Sequence, residues 1–203
     1  NEIGGIKLGL EFFVANGLQG VKRIKDFGLP IFLDLKLHDI PNTVLKAFNA
    51  SSIVKPDYFS VHLTGGTEML KKLKEIKDEV KIVGITMLTS LNSDNLRSFG
   101  IRLKPIEFVK HLVTVAKNSS VDAIVCSPLE IIEVKKILPN NVEVITPGIR
   151  ISDHKIHDQK RFLSPGKALK NGSDILIIGR PITESIDPVG AIKIIKEDII
   201  KNL

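Results

Sequence analysis

An α/β fold, specifically a TIM (β/α)8 barrel lacking its first β-strand unit, is what the sequence predicts, on three observations. Short apolar runs recur along all 203 residues, each followed by a stretch in which apolar residues return at three-to-four spacing. The runs at 31–37, 82–88, 123–126 and 175–178 are rich in Ile, Val and Leu with little polar alternation, as parallel strands buried on both faces require. A Gly-rich dinucleotide fingerprint is missing after the first run, and Gly65-Gly66 follows a later one without the third glycine that motif needs. Strict alternation of strand and helix then implies parallel strands joined by right-handed crossovers.

Taken in order, strands are expected to begin near Ile6, Ile31, Tyr58, Lys81, Ala123, Val142 and Ile175. Helices are expected at 68–76, 105–116, 129–138 and 189–200, where apolar residues at helical spacing face Lys and Glu on the other side. That makes seven strands, the first beginning a few residues from Asn1, whereas a closed barrel needs eight strands and typically ~250 residues. The expectation is one barrel domain over 1–203, N-terminally incomplete, with an open sheet as the alternative. No Pro-, Gly- or Ser-rich linker divides the chain. The run Lys71, Lys72, Lys74, Lys77 is interleaved with Glu75, Asp78 and Glu79 and reads as a solvated helix face.

With 43% hydrophobic and 26% charged residues, 15 Gly and 10 Pro, the composition is that of a globular protein and excludes collagen-like, disordered and coiled-coil chains. The single cysteine, Cys126, cannot form an intramolecular disulfide, and no Cys/His cluster has metal-ligand spacing, so a reducing cytoplasm and no metal are expected. No window approaches the ~18 apolar residues of a membrane span, and the apolar start is broken by Lys7 and Glu11. A formal charge of +6 attracts anions in general. No Trp and one Tyr argue against a base-stacking surface, so neither nucleic acid nor membrane is an expected partner.

The chemistry concentrates in 31–43. Alternation along a strand puts Leu33, Leu35 and Leu37 on one face and Phe32, Asp34 and Lys36 on the other. In a barrel the leucines meet the helix layer, while Asp34 and Lys36 sit inside near the C-terminal end, where barrel sites are built. Burying both charges is costly unless they pair, and a pair ~4 Å apart at an effective dielectric near 20 recovers about 4 kcal/mol. A structural ion pair and a catalytic array are the two readings. Asp39, three residues on and just before Pro41, reads either as a helix N-cap or as a second carboxylate beside Lys36. Carboxylate, ammonium and carboxylate in alternation keep the lysine protonated, which suits a general acid delivering a proton to a carbanion.

The segment Asp34-Leu35-Lys36-Leu37-His38-Asp39-Ile40-Pro41-Asn42-Thr43 resembles the signature of the orotidine 5'-phosphate decarboxylases. Further blocks agree in order: Lys7-Leu8-Gly9 with Glu11-Phe12-Phe13, His62 before Gly65-Gly66, Leu88-Thr89-Ser90, Val125-Cys126-Ser127, Thr146-Pro147-Gly148-Ile149-Arg150, Asp158-Gln159, and Ile178-Gly179-Arg180-Pro181-Ile182-Thr183. The resemblance implies a TIM barrel, a homodimer with sites shared across its interface, and cofactor-free conversion of orotidine 5'-monophosphate to UMP and carbon dioxide, the last step of de novo pyrimidine synthesis. It implies Lys36 as proton donor to C6, Asp34 beside the leaving carboxylate, and Lys7 completing the charged array. Asp39, Ile40 and Thr43 would reach into the partner's site, Thr89 would contact the pyrimidine, and Gln159, Gly179 and Arg180 would hold the phosphate. Arg150 matches a position at the same end, with a surface loop arginine as its other reading. The family's first strand, ending in an Ala-Leu-Asp-like segment, has no counterpart before Lys7.

Two features favour a phosphate site independently of the family. Residues 149–164 lack periodicity and exceed the usual ~2–6-residue βα loop, which marks a lid. Gly179-Arg180 ends the last strand, where barrels commonly bind phosphate and a glycine lets backbone N–H groups approach, although a plain turn is its other reading. His62, on the inward face with Ser60, reads as structural before catalytic, and His38 as a turn former. His111, His154 and His157 lack ligand spacing, and Cys126 reads as an inert core thiol. Two alternatives stand beside the decarboxylase: a magnesium-dependent sugar-phosphate decarboxylase or synthase of the same suprafamily, and a noncatalytic nucleotide-phosphate binding protein.

Overall fold

The computed structural model describes residues 2–150 and 162–203. In chain order the elements are β1 (Ile6–Gly9), α1 (Leu10–Lys25), β2 (Ile31–Leu37), α2 (Pro41–Ser52), β3 (Tyr58–His62), a 3-10 turn (Leu63–Gly65), α3 (Gly66–Ile76), β4 (Lys81–Ile85), α4 (Ser93–Ser98), α5 (Pro105–Ser119), β5 (Ala123–Val125), α6 (Ile131–Lys135), β6 (Glu143–Thr146), α7 (Pro165–Lys170), β7 (Ile175–Leu176), α8 (Arg180–Thr183) and α9 (Pro188–Asn202). Among the described residues, no helix is long and apolar enough to cross a membrane. The chain divides into two compact units, Asn1–Ile85 with Val115–Ala123, and Thr86–Thr114 with Ile124–Leu203.

In the first unit β1, β2, β3 and β4 lie side by side in chain order, every pair parallel. Gly9 is in register with Asp34, and Tyr58 with Lys81. The strands read as apolar runs because they are buried: Ile31, Leu33, Phe59, Val61 and Val83 have no accessible surface to speak of. Pro41 opens α2, as its fixed φ and missing N–H allow. Helix α2 is anchored by Phe48, whose ring stands edge-on to Phe59 at 5.1 Å and 89°. Gly66 begins α3 at φ +86°, a conformation that a side chain would strain. In the second unit β6 and β7 are parallel, Ile145 opposite Ile175.

One contact repeats at the start of every second strand. Asp57, just before β3, accepts the Ile31 N–H at 2.7 Å through Oδ2 and donates its own N–H to the Ile31 carbonyl at 2.9 Å. Asp122, before β5, does the same with Ile82, at 2.8 Å and 3.1 Å. Asp174, before β7, does it with Val144, at 2.7 Å and 2.8 Å. Each of these N–H groups belongs to the first or second residue of its strand, and the carboxylate just ahead of the neighbouring strand gives it a charge-assisted bond. Lys77 pairs with Asp122, and Lys135 with Asp174.

The predicted strand starts all fall within one residue of the observed ones, but three expected ends do not. Residues 86–88 leave the β4 ladder because the Thr86 N–H and Oγ1 both donate to the Val125 carbonyl, at 3.1 Å and 2.8 Å. The run 175–178 forms a strand only over Ile175–Leu176. The helix expected at 129–138 contracts to Ile131–Lys135, because the Glu130 carboxylate accepts the Ser127 N–H at 3.0 Å and holds 127–130 in a turn.

Replacing Asp122 by Ala removes that charge-assisted bond and leaves the Ile82 N–H unpaired. Urea denaturation should register a loss of about 1.5–3 kcal/mol, with much of it restored in Asp122→Asn, which keeps an acceptor oxygen.

Candidate active site

Three of the predicted residues meet around one carboxylate. Asp34, on β2, is 5% exposed. Its Oδ2 lies 2.7 Å from Lys36 Nζ and 3.1 Å from Lys7 Nζ. Lys7 reaches it from β1 and passes close to Gly9, where a Cβ would stand 3.3 Å from the ammonium. Asp34 Oδ1 accepts a hydrogen bond from Ser60 Oγ on β3 at 2.8 Å. Both carboxylate oxygens are therefore satisfied, by two ammonium groups and one hydroxyl.

The backbone beneath this cluster departs from a regular strand. Between Leu33 and Leu37 the chain advances four residues on β2, while the facing stretch from Phe59 to Val61 advances two on β3, a bulge in the ladder. Lys36 sits in it at φ +52°. Of the four non-glycine residues described with positive φ, Lys36 alone lies in a strand; Lys55, Asp78 and Ser120 lie in connections after helices. Such a conformation costs about 1–3 kcal/mol and persists where the surroundings enforce it, as at functional sites. Alternation alone put Asp34 and Lys36 on one face; their pairing holds, through a bulge that alternation does not contain.

Burial by itself pushes the Asp34 carboxyl up. The Lys36 and Lys7 charges and the hydrogen bonds from Lys36 and Ser60 outweigh it and hold the group below its ordinary 3.8. His62, at the end of β3, is held below its ordinary 6.5 by burial first and then by the His38 and Lys36 charges, with Asp34 opposing. The His62 and His38 rings stand 5.4 Å apart, and His38 Nε2 lies 3.3 Å from Thr64 Oγ1 in the 3-10 turn after β3. Cys126 is buried, and burial pushes its thiol far up, as an inert core thiol requires.

The remaining predicted residues lie elsewhere. Asp39 is exposed and its Oδ1 accepts the Ile40 N–H at 2.7 Å. The cap of α2 is Ile40, without a side-chain hydrogen bond, so the N-cap reading of Asp39 is overturned: Pro41 starts the helix one residue too late for it. Within one chain the charged array consists of Lys7, Asp34 and Lys36. Ile40 is 67% exposed, and Thr43 is exposed on the first turn of α2. In the second unit, half-buried Thr89 lies in the loop after β4. Arg150 is half-buried, its guanidinium donating to the Ile149 carbonyl at 2.8 Å. Gly179 caps α8 and Arg180 begins it; nothing lies within 4 Å of where a Gly179 Cβ would stand. Gln159, His154, His157 and most of the expected lid at 149–164 fall outside the described residues. Ser60 is the residue that sequence reasoning noted only as a neighbour of His62; its alternation with His62 on an apolar strand was the available signal.

The site is a charged cluster, Lys7, Asp34 and Lys36, carried on adjacent strands of a parallel α/β unit. Residues 1–195 match the model of the "Orotidine 5'-phosphate decarboxylase / HUMPS family". A protein of Sphingopyxis alaskensis named orotidine 5'-phosphate decarboxylase is 44% identical over 189 residues, 93% of this chain and 84% of the relative. One of the same name from Ehrlichia chaffeensis is 44% identical over 201 residues, 98% and 85%. The crystal structure of orotidine 5'-phosphate decarboxylase from Lactobacillus acidophilus superposes with a TM-score of 0.83 at 34% identity, covering 95% of this chain and 85% of that one. The chain belongs to the orotidine 5'-phosphate decarboxylase / HUMPS family, and its fold class is that family's TIM barrel.

The depressed His62 pKa has a signed consequence. The unfolded chain binds a proton near pH 6.5 while folded His62 resists it, so His62 contributes stability above that pH that is lost as pH falls through the folded value. Urea melts between pH 7.5 and 5 should show a smaller acid decline for His62→Gln than for the parent protein.

Proposed function

We propose that the protein decarboxylates orotidine 5'-monophosphate to UMP, as a cytoplasmic homodimer and without metal or cofactor, the chain working as one barrel domain. The observation that carries this reading is the Asp34 carboxylate held between the Lys36 and Lys7 ammonium groups, at 2.7 Å and 3.1 Å, in a chain of this family. Asp34 stays ionised because two cations face it. A substrate carboxylate brought beside it meets like charge, and that repulsion is relieved as the C6–carboxylate bond breaks and carbon dioxide leaves with the electron pair left on C6. The Lys36 ammonium, within reach of the same place, gives C6 its proton, and solvent reprotonates the amine. Lys7 keeps the array net positive, which favours the developing carbanion.

At the other end of the substrate, Arg180, Gly179, Arg150 and Gln159 hold the phosphate and Thr89 contacts the pyrimidine. The open space at Gly179 supports this, since an anion can approach the backbone there. The formal +6 of the chain draws the anionic substrate in. Asp39, Ile40 and Thr43 serve the partner's site; their exposure on the loop and first turn of α2 supports that role.

Lys36→Ala removes the proton donor and one counterion of Asp34. Loss of orotidine 5'-monophosphate absorbance should continue in the parent protein under EDTA and cease in the variant, whose circular dichroism stays native. Dependence on added magnesium would instead indicate the sugar-phosphate chemistry, and binding without turnover a noncatalytic protein.

The shared site is tested by mixing Lys36→Ala and Asp39→Ala proteins. Random exchange makes about half the dimers mixed, and each mixed dimer has one site with both residues intact, so activity should rise to roughly a quarter of the parent value. Exchange verified by mass spectrometry with no recovery would place both residues in one chain's site.

A further inference from the structure

We propose that Ser60 is a positioning residue of this site, its hydroxyl tying the Lys36 backbone to the Asp34 carboxylate so that acid and ammonium keep one mutual orientation. The inference rests on the assignment of Asp34 and Lys36 above. Ser60 has 0% exposure. It is the one β3 residue between Phe59 and Val61, opposite the three β2 residues between Leu33 and Leu37. A bulge strands backbone groups that a ladder would pair, and a buried unpaired N–H is expensive. Ser60 Oγ accepts the Lys36 N–H at 2.8 Å and donates to Asp34 Oδ1 at 2.8 Å. One hydroxyl has one proton to give and lone pairs to accept with, and here both capacities are used within the array. An apolar side chain of any size does neither, and the Lys36 backbone at φ +52° then loses the bond that holds it in a sparsely populated region.

The carboxylate end carries a second consequence. Asp34 is faced by Lys7 from β1, Lys36 from β2, and Ser60 with His62 from β3. The Ser60 hydrogen bond favours the ionised form, so its loss shifts the Asp34 titration upward.

The test compares Ser60→Ala, Ser60→Cys and Ser60→Thr with the parent on the full chain. Carbon-13 NMR reads the Asp34 carboxyl titration, and steady-state kinetics read kcat and KM. Ser60→Ala should lower kcat by roughly ten-fold or more, with KM changed less than about two-fold, and raise the Asp34 midpoint. Ser60→Thr, which keeps the hydroxyl, should recover most of kcat and the parent midpoint. Ser60→Cys keeps the volume with a weak donor and should follow Ser60→Ala, which covers the case that the alanine variant does not fold. Parent-like kcat and an unmoved midpoint in the alanine or cysteine variant would overturn the proposal. So would a kcat loss that Ser60→Thr does not reverse. Failure of the underlying reading is separate: Lys36→Ala would retain turnover, whereas the Asp34 titration reports the Ser60 contact regardless.

Discussion

A carboxylate removed from water on a strand that is otherwise apolar is unstable unless its surroundings repay the lost hydration, and Asp34 sets that condition for its neighbours. Two lysines from adjacent strands and a serine from a third converge on its two oxygens. Lys7 approaches it past Gly9, where a Cβ would crowd the ammonium at 3.3 Å. Lys36 meets it through a backbone turned into the left-handed region, and that backbone is held by the same serine that holds the carboxylate. Withdrawing Ser60 leaves the Lys36 amide without its partner, and withdrawing either lysine leaves the buried carboxylate with one counterion instead of two. The cluster is therefore a unit.

The strands that carry this cluster are secured at their other end. Asp57 binds the first N–H of β2, five residues before Lys36, and Asp122 binds the second N–H of the neighbouring β4. The two ends divide the work: aspartates at strand starts satisfy backbone amides and contribute stability, while the charged side chains further along are held in strained, partly exposed positions where they can act on a ligand. Phe48 against Phe59 fixes α2 to β3 and so fixes the start of the loop that bears Asp39 and Ile40. On that loop Asp39 and Ile40 are exposed.

Chemically, the same interaction decides the state of the carboxylate. The Lys36 ammonium lies 2.7 Å from the Asp34 carboxylate and remains partly exposed. Asp34 in turn is unable to take up a proton near neutrality, because two cations and a hydroxyl stabilise its ionised form. The groups that hold the carboxylate ionised are its immediate neighbours on three strands.

Much of this was legible in the residues alone. The strand starts, the helical face of 105–116 and the pairing of Asp34 with Lys36 follow from local periodicity, because alternation and the 3.6-residue repeat are properties of consecutive residues. The part of Lys7 was legible only through the family resemblance, and the cap reading of Asp39 stayed open because sequence does not say at which residue a helix begins when Pro41 and Asp39 both qualify. The bulge, the double hydrogen bond of Ser60 and the aspartate clamps were decided by the tertiary structure. Ser60 stands 26 residues from Asp34, and Asp122 stands 40 from Ile82. Contacts across such separations depend on strand register, which parallel crossovers set by packing helices against the sheet rather than by any short-range pattern in the chain.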